Sequence, residues 1–226
     1  MAGSCGRLTC LFYRRPPTFS AACCRRAAGK RRGVRENAVM TALSWAWLST
    51  PVGQVSVGCS ADGVARVRYG PPAAPRPGGT AGDAAPGREL ADAARQQLTE
   101  YFRGQRMTFE LPVDWSATAG PQREVLQVLD RSVSYGQTIT YGALASQAGL
   151  PAGDGTLPAR VVGQIMGSNP IPVIVPCHRV VASDGLGGYS GGTGIEVKRW
   201  LLILEGSLPP TLDWQPMGLP ADLTDN

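Results

Sequence analysis

Hydrophobic positions along this chain change period several times, and each change marks an element. From Trp45 onward Val52, Val55 and Val57 fall in a strand-like run, Ala61-Asp62-Gly63 reads as a turn, and Val64 to Tyr69 reads as the returning strand. This predicts a hairpin that opens a small α/β unit. Residues 70–87, full of Pro, Gly and Ala, cannot bury a core and read as a loop. From Glu89 to Arg103 the period turns helical. Leu90, Ala94, Gln97/Leu98 and Tyr101/Phe102 share one stripe, and Gly104 closes the helix. Met107 to Leu111 is expected to add another strand, with Pro112 to Ala119 linking to a second half.

That second half reads as mainly helical. Pro121 suits a first helical turn, and Val125, Leu126, Val128 and Leu129 supply the apolar face up to Arg131. Thr140 can cap a helix from Tyr141 to Ala148 that Gly149 ends. After a loop containing Gly153, Asp154 and Gly155, Pro158 begins a helix that continues to Ser168, and Asn169-Pro170 stops it. Two short helices joined by a turn suit a helix-turn-helix, although any helical pair has that look. The run Ile171-Pro172-Val173-Ile174-Val175 reads as a short buried strand that Pro176, lacking an N–H, must end. Gly185 to Gly194 is dense in glycine around Tyr189-Ser190. It reads either as a surface loop or as a pocket wall where backbone closely approaches a flat ligand. A last helix runs from Ile195 to Glu205 with Val197, Trp200, Leu201 and Leu204 inward, and Gly206 closes it. The expected organisation is an extension over 1–40, an α/β unit over 41–115, a helical unit with the active-site strand over 116–206, and a polar tail over 207–226.

Charge changes the picture less than its total suggests. Of 22 basic and 17 acidic residues, residues 1–39 hold nine and one respectively, leaving 13 basic and 16 acidic elsewhere, a net of −3. A global argument from basic pI to nucleic acid therefore rests on the wrong segment, and any DNA contact must use a local basic face and helix N-termini. Residues 1–39, with Lys30-Arg31-Arg32 and four of the six cysteines, read as a disordered extension, with translation from upstream of a start at Met40 as one origin. A basic arm or a transit peptide is the sharper alternative. Cys59 and Cys177 alone form no disulfide framework, which suits a reducing compartment. No apolar run approaches the roughly 20 residues a membrane span requires.

Candidate chemistry gathers at Pro176-Cys177-His178-Arg179. His178 is the single histidine of the chain, beside the one cysteine of its later part. A thiol becomes a nucleophile when a neighbouring base or cation stabilises its thiolate, though a cysteine between a proline and a histidine can equally be packing. The glycine-dense segment fits neither a dinucleotide-binding fingerprint nor a P-loop, so no nucleotide cofactor is indicated.

Asn169-Pro170-Ile171-Pro172-Val173-Ile174-Val175-Pro176-Cys177-His178-Arg179-Val180 resembles the active-site segment of the O6-alkylguanine-DNA alkyltransferases, and the likeness extends from about Trp45 to Gly206. The resemblance implies a monomer, cytoplasmic and at the nucleoid when on DNA. It would bind double-stranded DNA containing alkylated guanine without cofactor or metal and would move the alkyl group irreversibly onto Cys177. By the same resemblance His178 is the base, through a water in relatives, and Glu205 stabilises the imidazolium. Tyr141 donates toward guanine N3, and Lys198 supports that region electrostatically. The Ser190 N–H faces O6, the carbonyls near Cys177 and Val180 accept from the 2-amino group, and Tyr189 borders the base. Arg160, beside Ala159 and ahead of Met166 on the recognition helix, fills the stack vacated by the rotated base, and Asn169 orders the turn into the active-site segment. Family members use this helical unit through the minor groove.

The sequence departs from the family at three places. Pro121 stands where an aromatic residue is usual, Gly167 where arginine is frequent, and the 150–157 loop is several residues longer. A structural zinc site known in vertebrate members is not carried over, because the single histidine is better used beside the cysteine. Three other classes compete: a lesion sensor that flips the base without transferring it, a Cys–His hydrolase, and a DNA-binding regulator. The sensor class usually has tryptophan at the cysteine position, and adjacent residues on an extended segment point apart, which counts against a hydrolase pair.

Overall fold

The structure, a computed structural model, describes residues 43–71, 87–151 and 157–210. The expected extension at 1–40, the body of the 70–87 loop, most of the 150–157 loop and the tail beyond 210 lie outside the described residues.

The first half is an antiparallel meander rather than a simple hairpin. Strands β1 (Ser44–Thr50), β2 (Gly53–Cys59) and β3 (Val64–Tyr69) pair in the order β1-β2-β3. β1 is the strand that the hydrophobic pattern does not announce. Its inward residues are Ser44, Ala46, Leu48 and Thr50, while Trp47 points outward at 55% exposure, so burial runs against hydrophobicity. Helix α1 (Arg88–Phe102) lays Ala91, Ala94, Leu98, Tyr101 and Phe102 on the core with Val55, Val57 and Val67 of the sheet. That is the expected stripe, with Ala91 in place of the half-buried Leu90. Burying five such side chains stabilises the pair by several kcal/mol, at about 25 cal/mol per Å² of apolar surface.

The strand expected over Met107 to Leu111 does not form. Met107 is 62% exposed, and the segment runs as irregular chain until Val113 makes one bridge to Val64. Without a partner at hand, alternating apolar residues cannot satisfy their backbone donors as a sheet. The Val64 N–H instead donates to the Pro112 carbonyl (2.8 Å), and the Asp114 N–H to that of Val64 (2.9 Å).

Four helices dominate the second half: α2 (Gly120–Ser132), α3 (Tyr141–Gln147), α4 (Pro158–Gly167) and α5 (Ile195–Leu204). The cap expected at Thr140 is present, its Oγ1 accepting from the Ala143 N–H at 3.2 Å. Pro158 occupies the first turn of α4, where a missing N–H costs nothing. α3 packs directly on α4, and α2 rests against both through Val125, Leu126 and Leu129. The helical pair and the small sheet with its packing helix are the fold class that the sequence predicted.

The buried run before Cys177 is a turn, correcting the expected strand. The Val175 N–H donates to the Ile171 carbonyl (2.9 Å), and Val173 adopts φ +73°, a rare conformation for a β-branched residue. With Pro170, Pro172 and Pro176 removing donors, β-branched composition secures burial here but not a ladder. The short strand lies on the other side of the cysteine: β5 (Val180–Val181) pairs in parallel with β4 (Ile139–Thr140).

Gly87, at the N-terminus of α1, has φ +85°, and a Cβ there would drive into the Ser60 carbonyl in the β2–β3 turn. Gly87→Ala is therefore expected to destabilise the fold by about 1–3 kcal/mol. An unchanged urea midpoint would show that the turn yields.

Candidate functional site

Cys177 begins a single 3₁₀ turn, Cys177–Arg179, directly after Pro176 at φ −82° and ψ 63°. Those angles make an inverse γ-turn, closed by the Cys177 N–H donating to the Val175 carbonyl at 2.8 Å. Asn169 fixes the preceding turn from both sides. Its Nδ2 donates to the Val175 carbonyl (2.9 Å), and its Oδ1 accepts from the Ile171 N–H (3.0 Å). The sulfur is thus placed by backbone geometry, and only 5% of the residue is exposed.

The 3₁₀ turn sends His178 and Arg179 to a buried carboxylate. Glu205, at the C-terminal end of α5, accepts at Oε1 from the Tyr101 hydroxyl (2.6 Å) and lies 2.9 Å from His178 Nε2. Arg179 donates to both of its oxygens at 2.9 Å, and its Nη1 donates to the Val133 carbonyl at 2.7 Å. Burial alone would raise the Glu205 pKa. The hydrogen bonds of His178 and Arg179 and their positive charges, that of His178 present only in acid, outweigh it and hold the carboxyl at about 2.

An ionised carboxylate can only accept, so we assign the imidazole proton to Nε2 from its partner. Burial depresses the His178 pKa against the pull of Glu205, leaving the ring neutral at pH 7. Nδ1 is then a buried acceptor with no hydrogen-bond partner among the described residues. No hydrogen bond among those residues joins it to the Cys177 thiol either. Burial pushes the thiol pKa up, while the Asn169 side chain, the Lys198 charge and the Tyr189 hydroxyl pull against that rise. At rest the sulfur carries its proton.

Cys177 forms part of the wall of a cavity of about 390 Å³. Of the residues singled out from the sequence, Met166, Asn169, Tyr189 and Ser190 share that wall. Neither Lys198 nor Tyr141 lines it. The Lys198 ammonium is buried, donates to the carbonyls of Val180 (2.6 Å) and Gly188 (3.2 Å), and lies 5.7 Å from the centre of the Tyr141 ring. Burial lowers its pKa to about 8, and ionisation of Cys177 would oppose that fall. The Tyr141 hydroxyl donates to the Gly188 carbonyl at 3.3 Å. The Val180 carbonyl, expected to face a ligand amine, thus already accepts from Lys198. Ser190 uses its hydroxyl on the Gly167 carbonyl (3.1 Å), leaving its N–H as the group of interest. Arg160 is exposed on the first turn of α4 beside half-buried Ala159, away from the cavity wall.

Sequence reasoning missed three contributors. Tyr101 on α1 reaches Glu205 from the first half of the chain, and Arg179 neutralises that carboxylate. Val67, Arg68 and Tyr69 of β3 close one side of the cavity. Only Arg179 had a signal available, its place in the cysteine motif. Among the described residues no three His, Cys, Asp or Glu side chains cluster so as to hold a metal ion.

Comparison with known proteins matches residues 120–207 to the family model described as the 6-O-methylguanine DNA methyltransferase, DNA binding domain. A methylated-DNA–protein-cysteine methyltransferase of Methanopyrus kandleri is 46% identical over 116 residues, 51% of this chain and 80% of that protein. A DNA base-flipping protein of Thermus thermophilus is 38% identical over 164 residues, 72% of this chain and 99% of that one. The Mycobacterium tuberculosis OGT solved in complex with DNA superposes with a TM-score of 0.58 at 34% identity, covering 72% of this chain and 93% of that one.

Removing the charge of Glu205 should strand Arg179 in the interior. Glu205→Gln is expected to cost about 3–5 kcal/mol in urea unfolding. The pH dependence has a definite sign. The carboxyl ordinarily titrates at 4.5 and here at about 2, so its contribution is complete above 4.5 and lost as pH falls toward 2. The variant should flatten the loss of stability in that window, and an unaltered acid limb would remove Glu205 as its source.

Proposed function

The chain belongs to the methylated-DNA–protein-cysteine methyltransferase family, whose members repair DNA by alkyl transfer, and we propose that Cys177 is the acceptor here in one irreversible transfer from O6-alkylguanine. The observation that carries this reading is the cavity of about 390 Å³ with that buried thiol on its wall. A neutral imidazole with a free acceptor nitrogen follows immediately in the chain.

DNA is the partner, met through α3 and α4. The O6-alkyl carbon is inaccessible inside a duplex, so the base must rotate out at a cost of a few kcal/mol. Arg160, exposed on the first turn of α4, takes the vacated place. Inside the cavity, Met166, Ser190 and Tyr189 border the purine.

The thiol proton passes to Nδ1 of His178 by way of a solvent molecule, and Glu205 stabilises the imidazolium that results. This is nucleophile–base–carboxylate logic with sulfur as the nucleophile. The sulfur lone pair then forms a bond to the alkyl carbon as the carbon–O6 bond breaks, and the electron pair leaves with the guanine. Tyr141 donates toward N3 and the Ser190 N–H toward O6, so hydrogen bonds meet charge where it develops. The proton held by His178 ultimately neutralises the departing purine. Cys177 remains as a thioether, which nothing in the site can reverse.

A second reading, flipping without transfer, draws on the Thermus base-flipping relative, and one experiment separates the two. The full chain is incubated with a duplex containing one O6-methylguanine, and the Cys177 peptide is weighed. A gain of one methyl group is expected, whereas tight binding with an unchanged mass favours flipping alone. Cys177→Ala should bind the lesion duplex and transfer nothing. Demethylation by that variant at the parental rate would assign the nucleophile elsewhere.

A further inference from the structure

We propose that Tyr69, on the last strand of the first-half sheet, is a positioning residue for alkyl transfer: its hydroxyl holds that of Tyr189, and its ring backs the glycine segment that walls the cavity. The inference rests on the reading of Cys177 as acceptor.

The geometry comes from three contacts. The Tyr69 and Tyr189 hydroxyls are 3.0 Å apart, and both residues share the cavity wall with Cys177. Their rings meet edge to face, with centres 6.4 Å apart and planes at 78°. The pair is thus held at both ring and hydroxyl, so Tyr189 has little freedom to swing. The glycine segment then wraps this pair. A Cβ at Gly191 would stand 2.5 Å from the Tyr69 ring and 2.6 Å from the Tyr189 ring, while one at Gly192 would meet Val197 Cγ2 first at 2.8 Å and the Tyr69 ring at 3.2 Å. At Gly191 the flat objects that demand glycine are the protein's own tyrosines.

Hydrogen-bond direction follows from the chemistry. As negative charge forms on the sulfur, a neighbouring hydroxyl stabilises it by pointing its proton that way. Tyr189 then has only its oxygen lone pairs left for Tyr69, so Tyr69 donates to Tyr189 and Tyr189 turns toward the sulfur. A chain of two hydroxyls polarises along its length, and the donor at its far end strengthens the nearer one. Asn169 from the preceding turn and Tyr189 reach the sulfur as hydrogen-bond donors, while Lys198 from α5, Tyr141 from α3 and Tyr69 act on it through space. Lys198 and Tyr141 spend protons on backbone carbonyls, whereas the Tyr69–Tyr189 pair can reorient its two hydroxyl protons without moving a ring.

The test is single-turnover transfer from an O6-methylguanine duplex by the full chain, measured from pH 6 to 10 for the parent, Tyr69→Phe, Tyr189→Phe and the double variant. Tyr69→Phe keeps the ring and removes one hydroxyl. It should slow transfer at neutral pH by roughly three- to tenfold, leave duplex affinity unchanged, and move the rising limb of the profile to higher pH. In the double variant the Tyr69 change should add nothing to that of Tyr189→Phe. Two outcomes overturn the proposal: a Tyr69→Phe profile that superposes on the parent's, with or without a lower melting temperature, and effects of the two changes that multiply in full. Failure of the acceptor reading looks different, because the parent itself would then leave Cys177 unmethylated.

Discussion

One buried carboxylate organises the molecule. Glu205 collects hydrogen bonds from Tyr101 on α1, from His178, and from Arg179, whose other arm holds the Val133 carbonyl at the end of α2. A lone carboxylate in that position would cost several kcal/mol in lost hydration. Four donors and one permanent cation reverse the balance, and the depressed pKa of Glu205 is the outcome. Because its donors come from distant parts of the chain, satisfying this charge also sets the cysteine turn, α5 and the first-half helix in place. The same charge fixes the imidazole tautomer, so the fold and the proposed chemistry depend on one group.

The segment around Cys177 shows how position is enforced without regular structure. Asn169 stands in for a missing ladder, and Pro176 closes an inverse γ-turn. Val173 is held at φ +73°, a conformation that costs of order 1–3 kcal/mol and persists only when the surroundings over-determine it. Those surroundings are the core itself, since Ile171, Val173, Ile174 and Val175 are all buried. The glycine segment follows a similar logic from the outside. Gly187 lies against the Tyr141 ring as Gly191 and Gly192 lie against Tyr69, so tyrosine rings shape the wall that a purine would meet.

The sequence made some of this legible and concealed the rest for physical reasons. Helical stripes were clear because Leu98, Leu126, Leu129 and Leu201 recur at a period that one buried face enforces. The cysteine motif and Asn169 were clear because their roles are local. β1 was hidden because its inward face carries Ser44 and Thr50 while Trp47 faces solvent. The turn before Cys177 looked like a strand because β-branched residues report burial more faithfully than pairing. Glu205 and Lys198 carry charges that usually mark a surface, and nothing local announces the partners that let them be buried. Tyr69 and Tyr101 were unreadable in principle, since their importance lies in contacts 120 and 104 residues away along the chain.

Under the proposed transfer, a sulfur that can be used once benefits from being inert until the right carbon arrives. Burial keeps the Cys177 thiol protonated, and a protonated thiol resists both oxidation and stray electrophiles. The neutral imidazole and the ionised carboxylate are nonetheless already in place, so ionisation needs no rearrangement of the protein, only a route for one proton. A purine entering the cavity displaces solvent and strengthens each remaining electrostatic contact at the sulfur. Lys198, Asn169 and the Tyr189 hydroxyl gain most from that change, because they stabilise the thiolate and not the thiol. Reactivity would then be conditional on an occupied cavity, which is the economy that a single irreversible transfer demands.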